Sequence, residues 1–229
     1  MRTVVLVRLR VGLGDLLCTV PALRALRRAR PDIHVALLTW REMAPVVDRY
    51  ARYVDELLDF PGWPGIPERA PDLDAMPGFL AAARARRFDA AIQMYGDRSA
   101  AVEVADALGA ARVGGFSAAA GAATRSWLPY PASMHEAHRH LGLLQHLGVP
   151  PAGDALEFPV TAADSAEAAA VIDRAGTAQG QYALLHPGAT EATRRWPVGA
   201  GPRSGTRSPS AGCGSSSQGC RARRGSLLP

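Results

Sequence analysis

Thr3-Val4-Val5-Leu6-Val7-Arg8-Leu9-Arg10-Val11-Gly12-Leu13-Gly14-Asp15 sets the reading of the whole chain. Its first five residues are almost wholly apolar, which suits a strand buried on both faces of a parallel sheet. A loop with two glycines follows, allowing close backbone approach and positive φ. From Asp15 to Arg30, Leu16, Val20, Leu23 and Leu26 share one helical face. Arg24, Arg27 and Arg28 fall on the opposite, wet face, and Pro31-Asp32 stops the helix. Strand, sharp glycine loop and helix together open a Rossmann-like unit. As a dinucleotide fingerprint the loop fails, because Leu17 stands where the third Gly or Ala belongs. The plainest role for Asp15 is that of a helix N-cap.

The same alternation continues outward. Strands are expected at Ile33–Thr39, Val54–Phe60 and Phe88–Met94. Helices are expected at Phe79–Arg87, Ser99–Leu108 and His135–Leu147, the last ending at Gly148-Val149-Pro150. Pro61 to Pro77 reads as a Pro/Gly-rich connection, and residues 115–130, rich in Gly, Ala and Ser, read as a mobile loop. A further helix at Ala162–Arg174 and a strand at Tyr182–His186, leading into Pro187-Gly188, would open a second Rossmann-like unit. The expected division is therefore an α/β domain over 1–160, the beginning of a second over 161–197, and a tail over 198–229.

The tail is different in kind. It is mostly Gly, Ser, Arg and Pro without periodicity, too poor in apolar residues to fold. It also carries Arg203, Arg207, Arg221, Arg223 and Arg224 and no acid. These five charges account for the whole net charge of +5, so residues 1–197 are neutral and the basic balance is no argument for nucleic acid. The chain has no Lys and no Asn, the mark of a GC-rich gene. If one base is restored after Val198, codons compatible with Gly199 to Gly219 encode an amphipathic helix, a glycine and a Val-Val-Leu strand. A disordered linker has no reason to hide such a pattern, so the tail is expected to be a shifted reading frame. At 229 residues with mean hydropathy near zero, a soluble globular protein is expected. The short apolar run Val4–Val7 reads as a buried strand rather than a signal peptide. Cys18, Cys213 and Cys220 form no disulfide framework and fit a reducing compartment.

Gly14-Asp15 with Thr19-Val20-Pro21, followed at the right distance by Leu185-His186-Pro187-Gly188-Ala189-Thr190 and Arg194-Arg195-Trp196-Pro197, resembles the glycosyltransferases of family 9, the heptosyltransferase type. The resemblance covers residues 1–197. It implies a GT-B fold: a Rossmann-like acceptor-side domain with only the start of the donor-binding domain present, and so a chain of little or no activity as it stands. It implies inverting transfer of a sugar, typically a heptose, from a nucleotide diphosphate donor to a lipopolysaccharide-like or related glycan. Asp15 matches the family's proposed base. Gly188, Ala189 and Thr190, with Arg194 at the family's phosphate-contacting Lys, match the donor-phosphate segment. Gly12, Gly14 and Tyr95 fall on the acceptor side, and the acceptor would be lipid-linked, at the cytoplasmic face of a membrane without an anchor.

Plainer roles stand beside these. Arg194 and Arg195 suit a solvated helix face, and Tyr95-Gly96-Asp97 suits a simple turn. His135, His138 and His140 lie on one helix beside Glu136, yet no Cys or further acid completes a metal set, so they read as surface or acceptor-cleft histidines. No cofactor is expected. A second reading of the whole is a non-catalytic Rossmann-like module that holds a glycan or a nucleotide.

Overall fold

The computed structural model describes residues 1–10, 12–118, 126–178, 180, 182–184, 186, 188–189 and 192–195. The chain divides into two compact units, Met1–Pro159 and Val160–Pro229. The expected tail, with Leu185, Pro187, Thr190, Trp196 and Pro197, lies outside the described residues.

The first unit is a six-stranded, wholly parallel sheet. Its strands are β1 (Thr3–Val7), β2 (His34–Thr39), β3 (Glu56–Asp59), β4 (Ala90–Gln93), β5 (Val113–Phe116) and β6 (Trp127–Leu128), in the spatial order β3-β2-β1-β4-β5-β6. Central β1 carries Val4, Val5, Leu6 and Val7, all fully buried, because a parallel strand is covered on both faces. Between the strands run α1 (Leu13–Leu17), α2 (Val20–Ala29), α3 (Ala44–Val47), α4 (Met76–Ala85) and α5 (Ser99–Ala107), and α6 (Glu136–His146) follows β6. The step from β1 to β2 runs one way across the sheet and the step from β4 to β5 the other. Right-handed crossovers therefore place α2 and α5 on opposite faces. Consistent with this, α2 packs with α6, and α5 packs on β1, β4 and β5.

The expected single helix over Asp15–Arg30 is two helices. Pro21 has no N–H to give to a continuing ladder, and the chain turns at Cys18-Thr19 before α2 begins. Arg24 and Arg27 are not on a wet face either. Arg24 donates to the carbonyls of Ala152, Gly153 and Ala155, and Arg27 to those of Pro31, Ile33 and Tyr53 and to Asp55. Each arginine staples a loop to α2. Residues 40–53, which show no clean periodicity, form α3 between two 3₁₀ turns, with Trp40 and Tyr50 buried in the core. The helix expected from Phe79 begins at Met76, so the preceding connection is shorter than it reads.

Residues 115–130 are not wholly a loop: they contain the end of β5 and all of β6. Gly115 and Phe116, the end of β5, read as the start of that loop because glycine has low strand propensity. Here the glycines are forced by proximity: a Cβ on Gly115 would lie 2.2 Å from the Gln93 carbonyl oxygen, and one on Gly114 2.5 Å from that of Ser126.

In the second unit, α7 (Ala162–Arg174) starts at a capping box in which Asp164 N–H donates to Thr161 Oγ1 and Thr161 N–H to Asp164. The strand expected over Tyr182–His186 does not form among the described residues there. Tyr182 and Leu184 are exposed, and an extended segment becomes a strand only when a neighbour accepts its ladder. Among the described residues, no helix is long and apolar enough to cross a membrane, and no three metal-binding side chains cluster.

Candidate active site at the carboxyl end of the sheet

In an open α/β sheet, ligands bind beyond the carboxyl ends of the strands, where the strand order reverses. In this sheet that point lies between β1 and β4. Arg8 N–H still donates to the Leu38 carbonyl and Met94 N–H to that of Val7, so the two chains leave the sheet side by side. Gln93, fully buried at the end of β4, fixes the exit. Its Nε2 donates to the carbonyls of Gly96 (2.7 Å) and Phe116 (2.8 Å), and its Oε1 accepts from Tyr95 N–H (2.6 Å).

Arg8, the first residue past β1, is 2% exposed. Its Nε donates to Thr19 Oγ1 (3.2 Å) and its Nη1 to the Met94 carbonyl (3.4 Å). Its Nη2 meets the Asp15 carbonyl (3.2 Å), Asp15 Oδ1 (3.4 Å) and Glu136 Oε1 (3.0 Å). Burial pulls its pKa down, opposed by the charges of Glu136 and Asp15. Glu136 is held in turn by Arg139 and by the Tyr130 hydroxyl (3.4 Å). Burial works against the Glu136 charge, but the Arg8 and Arg139 guanidinia outweigh it and hold the carboxyl below its usual range. His140, 1% exposed, sits 3.5 Å from Glu136 Oε1 and bonds the Cys18 carbonyl (3.2 Å). Burial first, and the Arg8 charge second, push its pKa down, so it is neutral. This corrects the sequence expectation: His140 is a core residue, not a surface or cleft histidine. His135 does not join it, since its ring caps α6 at Ala137 N–H, and His138 pairs with Asp154 on the surface.

Asp15 is not the N-cap of α1; that position is Gly12, and Asp15 sits in the first turn. Its side chain is 37% exposed, with Oδ1 facing Arg8 and lying 4.0 Å from Arg10 Nε. Its Oδ2 has no partner among the described residues. A Cβ on Gly12 would approach that oxygen to 3.0 Å, so the glycine leaves room for it. Gly14 is different: its backbone lies in a helix, and a Cβ there would meet nothing within 4 Å. No close contact among the described residues requires that glycine.

Tyr95 is buried. The Arg10 guanidinium covers its ring at 5.4 Å, and its hydroxyl lies 2.7 and 2.8 Å from the two Glu68 oxygens. Burial, and then Glu68, raise its pKa. The structure thus brings Gly12, Asp15 and Tyr95 to one end of the sheet, with Arg10 between the last two. Arg8 and Glu136 complete the group. The sequence signal for Arg8 was a cation directly after a wholly apolar strand; nothing local pointed to Glu136, 128 residues away.

In the second unit, Gly188 and Ala189 precede a 3₁₀ turn, Ala192–Arg194, and Arg195 Nε donates to the Ala189 carbonyl at 2.8 Å. Arg194 is exposed on that turn. Thr190 lies outside the described residues.

No protein-family model matches the chain, and no curated protein does. Solved structures do. The glycosyl transferase family 9 structure from Veillonella parvula DSM 2008 aligns with a TM-score of 0.64 at 19% identity, over 86% of this chain and 56% of that one. E. coli ADP-heptose LPS heptosyltransferase II aligns with a TM-score of 0.56 at 15% identity, over 86% and 58%. E. coli heptosyltransferase WaaC with ADP-2-deoxy-2-fluoro heptose aligns with a TM-score of 0.53 at 22% identity, over 85% and 62%. This chain therefore spans 56–62% of the length of these structures.

Sheet order and likeness together define the fold: it matches the Rossmann-like part of GT-B glycosyltransferases. Within that class, the structures it resembles are family 9 glycosyltransferases and ADP-heptose heptosyltransferases, as the sequence motifs implied. At these identities the likeness establishes the fold, and the activity rests on the site.

Proposed function

We propose that this protein is a glycosyltransferase of the heptosyltransferase type, moving a sugar with inversion from a nucleotide diphosphate donor to a glycan acceptor. The observation that carries the reading is the Asp15 carboxylate. It lies at the carboxyl end of the central strand, at the reversal of strand order, open to solvent and with one oxygen unpartnered among the described residues. Such a group can take the proton of an attacking hydroxyl. The acceptor oxygen bonds to the anomeric carbon as its proton passes to Asp15. The bond from that carbon to the phosphate oxygen breaks on the opposite face, and its electron pair leaves on the diphosphate.

In this reading Gly12, Gly14 and Tyr95 belong to the acceptor side. The openness at Gly14 and the cover of Arg10 over Tyr95 support that placement. The departing diphosphate gains charge on its oxygens, which a planar guanidinium can meet with two N–H donors. Arg194 has that role, with Gly188, Ala189 and Thr190 forming the segment beside the phosphates. The donor is an ADP-heptose-like nucleotide sugar, in keeping with the ligands named for the E. coli neighbours. The acceptor is lipid-linked, met at the inner face of a membrane by a cytoplasmic protein.

The test is transfer from ADP-heptose to a lipopolysaccharide core acceptor, assayed on the 229-residue chain and on the protein with one base restored after Val198. The restored protein is expected to transfer and the 229-residue chain to do so poorly or not at all. A module that only holds a glycan or nucleotide would bind without transfer in both forms, and that result would overturn the proposal.

A further inference from the structure

We propose that Arg8 and Glu136 are positioning residues for the Asp15 carboxylate: Glu136 on α6 pins the buried Arg8 guanidinium, which holds Asp15 Oδ1 and leaves Oδ2 as the oxygen that takes the proton. This rests on the reading of Asp15 as the base and adds to it a support that ties the reacting group to a helix far away in sequence.

The first argument is energetic. A guanidinium taken out of water loses much of its solvation, and an ion pair inside a protein often stabilises no better than an apolar replacement of the same volume. Arg8, almost wholly buried beside the apolar β1, is therefore a poor choice for stability alone. It is a good choice for fixing geometry, because a planar fork donates in set directions.

The second argument is geometric. Thr19 Oγ1 takes Nε at 3.2 Å, the Met94 carbonyl takes Nη1 at 3.4 Å, and Glu136 Oε1 takes Nη2 at 3.0 Å. Those contacts come from the α1–α2 turn, the exit of β4, and α6. They lock the plane of the guanidinium from three elements. What remains of Nη2 faces the Asp15 carbonyl and Asp15 Oδ1, at 3.2 and 3.4 Å. Thr19 Oγ1 also donates to the same Asp15 carbonyl at 3.1 Å, fixing the backbone from which the carboxylate projects. Glu136 is itself fixed, since Arg139 and Tyr130 hold its other oxygen.

The third argument is the asymmetry at Asp15. Both nearby guanidinia, Arg8 and Arg10, lie on the Oδ1 side. Oδ2 faces Gly12, where no side chain intrudes. A carboxylate clamped by one oxygen presents the other in a defined direction. Catalytic groups must be held within a fraction of an ångström to be effective.

The test is steady-state transfer by the restored-frame protein, beside the 229-residue chain, for wild type, Arg8→Lys, Glu136→Gln, Asp15→Asn and the double variant Arg8→Lys/Asp15→Asn. Circular dichroism confirms that each is folded. Arg8→Lys keeps the charge and loses the fork; Glu136→Gln keeps the volume and loses the charge. Each is expected to lower kcat roughly 10- to 100-fold with KM for ADP-heptose changed less than about twofold. In the Asp15→Asn background, Arg8→Lys is expected to add nothing, because the group it positions is gone. If Arg8→Lys does not fold, Glu136→Gln decides alone. Folded variants with wild-type kcat, or losses that add to that of Asp15→Asn, would overturn the positioning role while leaving Asp15 as the base. A wild-type protein without transfer would sink the transferase reading, and this inference with it.

Discussion

Replacing Gly115 by alanine puts a methyl group where the backbone of β4 already runs. The new Cβ would lie 2.2 Å from the Gln93 carbonyl oxygen and 2.7 Å from its nitrogen, and neither can swing aside as a side-chain tip could. The residue also sits at φ +139, where an L side chain is strained. Strain of this kind costs about 1–3 kcal/mol, and forcing extra volume into a packed sheet costs about 1–3 kcal/mol more. A loss of about 4 kcal/mol follows, a large part of the roughly 5–15 kcal/mol that holds a typical domain together. Gly148→Ala isolates the first cost, because Gly148 has φ +88 and a Cβ there would meet nothing within 4 Å. It should lose only about 1 kcal/mol. Urea titration followed by the fluorescence of Trp40, buried against Phe60 at 5.0 Å, reads both variants on one scale. If Gly115→Ala cost no more than Gly148→Ala, the claim that position 115 is glycine because β4 crowds it would be wrong.

Two further outcomes are expected. Gln93→Leu leaves Tyr95 N–H and the carbonyls of Gly96 and Phe116 without their buried partner, and should lose about 3 kcal/mol in the same titration. Loss of under about 1 kcal/mol would show that the β4 exit does not depend on it. His140 gives a pH signature: its pKa in the folded state is lowered, while the unfolded chain takes up the proton below about pH 6.5. Stability contributed by the neutral ring is thus present above that pH and falls as pH drops, by about 1.4 kcal/mol per unit. Glu136, whose carboxyl is also lowered, acts only at more acid pH, below the usual glutamate range. Wild type should therefore lose about 1 kcal/mol more than His140→Gln between pH 6.5 and 5.5, where the unfolded ring is only part-way protonated, and equal losses would refute a buried neutral histidine.

The parts legible in the sequence were those in which one segment carries its own signal. The apolar run Thr3–Val7, the glycine loop and the periodic leucines of α2 predict a Rossmann-like opening, and the sheet order matches it. The illegible parts depend on distant neighbours. Gly115 looks like a loop residue until the backbone of Gln93 is placed against it. Arg24 and Arg27 look like a wet face until their carbonyl partners arrive from residues 31–55 and 152–155. His140 has the helical spacing of a surface cluster, and only the packing of α6 on α2 takes it inside while leaving His138 out. In the second unit the apolar Tyr182 and Leu184 suggest a strand, but apolarity makes a strand only where a partner strand lies alongside, and among the described residues none does. Asp15 was legible by type and position; the clamp that faces one of its oxygens was not.

The most direct measurement is kcat for heptose transfer by the restored-frame protein against Asp15→Asn, a swap that keeps shape and removes the proton acceptor. The account predicts a fall of about 100- to 10,000-fold, with a single inverted anomer from the wild type. Transfer by Asp15→Asn within a few-fold of wild type, or product of retained configuration, would contradict it.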